Sequence, residues 1–145
     1  MKKYIIKDIH SDGYERFVLV KEMEHGANLV VHFFEYDEYL ENDKESKKKI
    51  GDLLEGDLSI KLVANSQKED KELFHRQDIQ NSSHIEAIVE VSQLVDEYSV
   101  YAISSILDDR LRIEFENAVD YKVGDKIFVV GSLEMTDEVC ENVER

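Results

Sequence analysis

Period-two alternation of apolar and polar residues is the feature that most constrains this chain. From His84 to Val95, Ile85, Ala87, Val89 and Val91 alternate with Glu86, Glu90 and Ser92. From Arg110 to Glu116, Leu111, Ile113 and Phe115 alternate with Arg112, Glu114 and Glu116. Successive strand side chains point to opposite faces, so this pattern predicts strands buried on one side. The same reading predicts strands over residues 3–9, 15–21, 29–35, 53–63, 98–107 and 126–135, with the first three in an antiparallel meander. The turn signals between them are Ser11-Asp12-Gly13, His25-Gly26-Ala27-Asn28, Asp96-Glu97 and Asp108-Asp109.

Two segments break the pattern. Residues 37–50 would pair Glu41 with Lys44 or Glu45 with Lys49 at helical spacing, but their apolar stripe is thin, so a short surface helix or else a charged loop is expected there. Residues 65–83 are polar, with one short strand expected around Leu73 and Phe74. The fold class expected is mostly β: one antiparallel barrel or sandwich of seven to nine strands, with one or two short helices. At 145 residues the chain fits a single domain, 1–145. Its β-rich halves, 1–64 and 84–135, flank the polar excursion 65–83, and an acidic tail, 136–145, follows.

Lys49-Ile50-Gly51-Asp52, followed by Gly56, echoes Lys122-Val123-Gly124-Asp125, followed by Gly131. Each Gly-Asp pair precedes a strand, where glycine permits a tight turn and aspartate bonds nearby amides. The spacing to the second glycine differs by two residues, so the echo reads as recurrent turn chemistry rather than duplication.

Charge is the second constraint. The chain carries 33 acidic and 18 basic side chains, a formal charge of −15. Residues 1–76 hold 17 acidic and 13 basic groups, a balance of −4, whereas residues 77–145 hold 16 and 5, a balance of −11. Such a field repels nucleic acid and anionic lipid and attracts basic partners. Proline is absent, so edge strands must be guarded by charge, bulges or cover. Cys140 is the only cysteine, which excludes an intrachain disulfide and fits a reducing compartment. No apolar run approaches the roughly 18 residues of a membrane span, and the N-terminus lacks a signal-peptide core. A cytoplasmic protein without membrane association is expected.

Catalytic and metal signatures are lacking. No pair among His10, His25, His32, His75 and His84 has the three-to-five-residue helical spacing of a zinc site. His32, between Val31 and Phe33, reads as a half-buried structural residue. Ser104-Ser105 lies in a strand and not on a nucleophile elbow. Cys140 sits beside Glu138 and Glu141, whose charges disfavour a thiolate. Phe33 and Phe34 are expected to face opposite layers of core, with Tyr36 and Tyr39 on its rim. The expectation is a non-enzyme with no cofactor and no metal.

His84 to Met135 resembles an OB-fold-like small β-barrel: three meander strands, a connection, and then Tyr121-Lys122-Val123-Gly124-Asp125-Lys126-Ile127-Phe128-Val129-Val130-Gly131. That resemblance implies oligonucleotide, oligosaccharide or small-ligand binding on a strand face. Single-strand binders, however, set stacking aromatics in a positive groove. Here Tyr98, Tyr101 and Phe115 lie among Asp96, Glu97, Asp108, Asp109, Glu114 and Glu116, opposed only by Arg110, Arg112, Lys122 and Lys126. In kind, a small acidic β-rich chain is similar to immunity proteins and antitoxins that neutralise basic toxins. That likeness implies a basic protein partner, met by Glu86, Glu90, Asp108, Asp109, Glu114 and Glu116.

Overall fold

A computed structural model of the chain describes residues 2–35, 48–106 and 110–136. The described residues form nine strands: β1 (Lys2–Asp12), β2 (Glu15–Glu22), β3 (Asn28–Phe34), β4 (Leu53–Lys68), β5 (Phe74–Arg76), β6 (His84–Asp96), β7 (Ser99–Ile103), β8 (Arg110–Phe115) and β9 (Lys126–Thr136). The mostly-β expectation holds. The expected short helices are corrected: the described residues contain none. The one segment with helical charge spacing, 37–50, lies mostly outside them, as do Tyr36, Tyr39 and the acidic residues after Thr136. No helix among the described residues is long and apolar enough to cross a membrane. Strand pairing is also mixed and not uniformly antiparallel, because β3–β9 and β4–β8 run parallel.

The chain divides into two compact units. Unit 1 comprises Met1–Asp57, Ile79–Ser83 and Glu134–Arg145; unit 2 comprises Leu58–Asp78 and His84–Leu133. Strand β4 thus starts in unit 1 and ends in unit 2, and β9 does the reverse.

Within unit 1, β1–β2 and β2–β3 are antiparallel, β1 also pairs with the start of β4, and His32 of β3 meets Glu134 at the end of β9. Within unit 2, β6–β7 and β7–β8 are antiparallel, β6 also pairs with β9, and β8 runs beside the second part of β4. Short β5 caps the other side of β6.

The strand registers of the two units match residue by residue. Ile5 opposes Leu53 and Tyr4 opposes Leu54 in unit 1, as Glu90 opposes Lys126 and Val89 opposes Ile127 in unit 2. The β1–β2 ladder shifts register between Ile6 and Asp8, and the β6–β7 ladder shifts between Val91 and Gln93. Val20 opposes Leu29 and Val18 opposes Val31, just as Ala102 opposes Leu111 and Val100 opposes Ile113. All these apolar residues outside the Ile5–Leu53 pair are buried.

The turns agree atom for atom. The Gly51 N–H donates to the Ile6 carbonyl at 2.8 Å, and the Ile6 N–H donates to the Asp52 carbonyl at 2.9 Å. The Gly124 N–H donates to the Val91 carbonyl, and the Val91 N–H to the Asp125 carbonyl, both at 2.8 Å. Asp52 accepts the Lys49 N–H and Asp125 accepts the Lys122 N–H, each at 2.9 Å. Gly51 and Gly124 both have φ of 97°, a value that L side chains rarely adopt. The echo in the sequence is therefore one part of a structural repeat that spans a three-stranded meander, a Gly-Asp turn and a fourth strand. Core identities differ between the two units while the turn chemistry is the same: glycine takes the positive φ and the aspartate carboxylate accepts the N–H three residues before it.

Candidate binding site

The repeat separates scaffold from specialised positions. Two places carry chemistry beyond the core, a cleft in unit 2 and a carboxylate–histidine cluster in unit 1.

The cleft begins with an irregularity in β4. Ile60 opposes Ile113, yet Val63 opposes Phe115, so β4 carries one residue more than β8 over this stretch. Without it Leu62 would oppose Phe115 and face the core. Instead Val63 takes the buried place, and Leu62 is turned out to 63% exposure with φ of 61°. The corresponding residue of β9, Met135, is buried. Beyond the bulge, Val63, Ala64 and Ser66 form one wall, and Phe115 with the loop 117–121 forms the other. The loop is fixed by the Glu116 N–H donating to the Val63 carbonyl at 2.9 Å and the Val119 N–H donating to the Glu97 carbonyl at 2.8 Å.

Between the walls lies a cleft of about 270 Å³. The Phe115 and Tyr121 rings sit 5.9 Å apart, and the Ser66 and Tyr121 hydroxyls share a hydrogen bond of 2.8 Å. Asn117 and Asp120 supply an amide and a carboxylate, and no Lys, Arg or His lines the cleft. A site with a carboxylate and no lining cation favours a positive or neutral guest over an anion.

The carboxylates expected to bind a partner are distributed as follows. Glu86 and Glu90 lie on the half-buried side of β6, and Glu114 lies on the corresponding side of β8. Glu86 is ion-paired to Arg76, which also meets Asp78 at 3.1 Å. Glu114 meets Arg112 at 3.2 Å, and the Arg112 guanidinium lies 5.7 Å from the Tyr101 ring centre. Glu116 is exposed and adjoins Phe115 of the cleft. Asp108 and Asp109 lie outside the described residues. The structure thus places Glu86, Glu90 and Glu114 on three-stranded β6–β7–β8 and sets Glu116 apart, at the cleft. Sequence reasoning missed Leu62, Ser66, Asn117, Asp120 and Tyr121. A strand bulge leaves no mark on an apolar run, residues 117–120 carry no motif, and Tyr121 entered only as the first residue of the OB-like phrase.

In unit 1 the corresponding face is different. His32 is only 6% exposed. Its Nδ1 lies 2.7 Å from Glu134 and its Nε2 lies 2.8 Å from Glu15. The Phe17 and Phe34 rings lie 4.9 and 4.8 Å from it. In unit 2 the equivalents of His32 and Phe17 are Glu114 and Ser99, so this cluster is particular to unit 1. His32 is more deeply buried than the half-buried residue expected, and both its ring nitrogens are hydrogen-bonded. Phe34 differs from expectation: Phe33 enters the core, but Phe34 is 48% exposed.

Burial alone would lower the His32 pKa; the bonds and charges of Glu134 and then Glu15 outweigh it, and the pKa is raised above 6.5. A histidine whose folded pKa exceeds its unfolded value adds stability that is complete below the unfolded pKa and lost as pH rises through the folded one. The urea midpoint of the wild type is therefore expected to exceed that of His32→Gln by most near pH 6. The gap should narrow toward pH 9. A gap that widens with pH would contradict this assignment.

Glu22, Glu24 and His25 form a third cluster, with one ligand atom from each within 4.8 Å of the others. Buried Glu22 is already engaged: its carboxylate accepts the Glu24 N–H at 2.9 Å and the His25 N–H at 2.6 Å. The equivalent residue of unit 2, Ser104, is also buried and accepts the Ile106 N–H at 3.1 Å. Burial opposes ionisation of Glu22, but these amide bonds and His25 hold its pKa below the usual carboxylate value. In both units a buried side chain at or just past the end of the second strand thus accepts a backbone N–H two residues further on.

No protein-family model matches the chain, and neither a curated protein nor a solved structure matches it.

Proposed function

We propose that this chain is a non-enzymatic protein-binding module that docks on a basic partner, in its most concrete form an immunity or antitoxin-type protein that neutralises a basic toxin. The observation that carries this reading is the charge of −15, concentrated beyond residue 76 and joined in unit 2 to a cleft with a carboxylate and no lining cation. Carboxylates at a rim steer a cationic partner, and apolar and aromatic contacts within it hold the complex. Glu86, Glu90, Glu114 and Glu116 serve as the steering groups. Two of them, Glu86 and Glu114, exchange an internal arginine for one from the partner.

The test is affinity capture from native lysate, followed by titration of the purified retained protein. The expected partner is basic and forms a stoichiometric complex. Its Kd should weaken at least tenfold between low and roughly 0.3 M salt, where charges more than several ångströms apart are screened. A salt-insensitive complex with an acidic partner would overturn the proposal. So would a tight complex with a labelled single-stranded oligonucleotide, which the OB-like reading requires.

A further inference from the structure

The cleft of unit 2 has a size, a polarity and a strained neighbour that together specify an occupant. Its volume of about 270 Å³ falls below the ~300–1,000 Å³ typical of pockets for drug-sized ligands. A single long side chain fits that space better than a cofactor does. Two aromatic residues, Phe115 and Tyr121, line it with ring centres 5.9 Å apart, and Asp120 adds a carboxylate. Guanidinium groups stack on aromatic faces and bond carboxylates in the same pose. Asn117 and the Ser66–Tyr121 hydroxyl pair supply acceptors for the remaining N–H donors.

Leu62 is the independent observation. A bulky apolar residue at positive φ is costly, and 63% exposure returns little burial for that cost. It stands one residue before the cleft wall at Val63, where the repeat would otherwise have buried it. Exposed, strained and apolar beside a polar cleft, it is placed to cover the aliphatic part of a guest.

We infer that this cleft receives an arginine side chain of a protein partner, with its guanidinium between Asp120 and the Phe115–Tyr121 rings and its flanking residue against Leu62. This inference deepens the proposed function and rests on it for the identity of the partner as a protein.

The experiment uses the full chain, labelled with ¹⁵N, titrated with acetyl-arginyl-leucine amide and with its citrulline counterpart, which replaces the guanidinium by a neutral urea. Saturable amide shifts confined to residues 63–66 and 117–121 are expected for the arginine probe. The citrulline probe should bind at least fivefold more weakly, and Asp120→Asn should remove most of that difference. Equal shifts by the two probes, or shifts spread over β6–β7–β8, would overturn the inference. Leu62→Gly removes the side chain and the backbone strain together. The expected variant melts no lower than wild type yet binds the arginine probe at least threefold more weakly. A clear loss of melting temperature would mark Leu62 as structural and count against the inference. The proposed function fails separately. A chain that binds the arginine probe in the cleft but retains no basic protein keeps this site and loses that reading. A chain that retains a basic protein, with Asp120→Asn and Leu62→Gly without effect, keeps the reading and loses the site.

Discussion

Gly131→Ala is expected to lower the stability of the protein by about 3 kcal/mol, at the upper end of what overpacking costs. A β-carbon there would lie 2.5 Å from the Lys61 carbonyl oxygen and 2.9 Å from Cγ2 of both Ile60 and Val63. The first obstacle is backbone, and it belongs to the bulged stretch of β4, which cannot retreat without moving the wall of the cleft. On the other side Gly131 is held opposite Ile85 in the β6–β9 ladder. Neither neighbour is the free end of a flexible side chain. Because a domain's net stability is only about 5–15 kcal/mol, the loss is a large share of it and should shift the urea midpoint plainly. Gly51→Ala is the informative contrast. Open space surrounds that position, and only its φ of 97° opposes a side chain. A smaller loss of about 1–2 kcal/mol is expected from backbone strain alone. If Gly131→Ala proved no worse than Gly51→Ala, close approach would not be the reason for glycine at 131.

The two glycines show what the sequence carries and where it falls silent. Alternation placed eight of the nine strands of the described residues approximately, because burial on one face imposes period two directly, and only short β5, near Phe74, was expected without it. The Gly-Asp echo was visible, but the trailing glycines, Gly56 and Gly131, suggested an imperfect copy. They occupy different places in the repeat: Gly56 meets the Thr136 carbonyl and Gly131 meets that of Lys61. Both answer close backbone approach, which depends on which strand lies alongside, and a linear pattern does not hold that information. Fixed instead were residues whose bonds are local, such as Asp52 to Lys49 and Asp125 to Lys122. The extension of β4 to Lys68 and the parallel pairings were likewise invisible, since partners distant in sequence decide them.

The candidate site was less legible than the fold for a related reason. Glu86, Glu90, Glu114 and Glu116 were found by charge and alternation, which report the side of a strand. Ser66 and Tyr121 are 55 positions apart and meet only because the loop after β8 folds back onto β4. Buried charge was missed as well. Arg16 and Glu22 alternate with Val18 and Val20 on the core side of β2, where the polar-outward rule would place neither.

Arg16→Ala should be the most damaging substitution in unit 1. Arg16 is 0% exposed, and its Nε donates to Glu35 at 2.6 Å. A second nitrogen of the guanidinium donates to the Gly13 and Glu15 carbonyls at 2.7 and 2.9 Å, which fixes the β1–β2 hairpin from within. Lys48 meets the other oxygen of Glu35 at 3.2 Å. Removing the guanidinium takes a buried cation from Glu35 and a donor from two turn carbonyls, while the truncation opens a cavity. Breaking a buried pair by deleting one partner costs about 3–5 kcal/mol, and the same range is expected here. The pair itself is a different matter, since desolvating both charges offsets much of their attraction. Arg16→Met combined with Glu35→Met should therefore be more stable than Arg16→Ala by at least about 2 kcal/mol, with a positive coupling in the double-mutant cycle. Urea unfolding of the wild type, Arg16→Met, Glu35→Met and the double variant measures that coupling directly. Additive losses would mean that the two charges stabilise unit 1 independently, with the hairpin carbonyls and not Glu35 as the principal partners of Arg16.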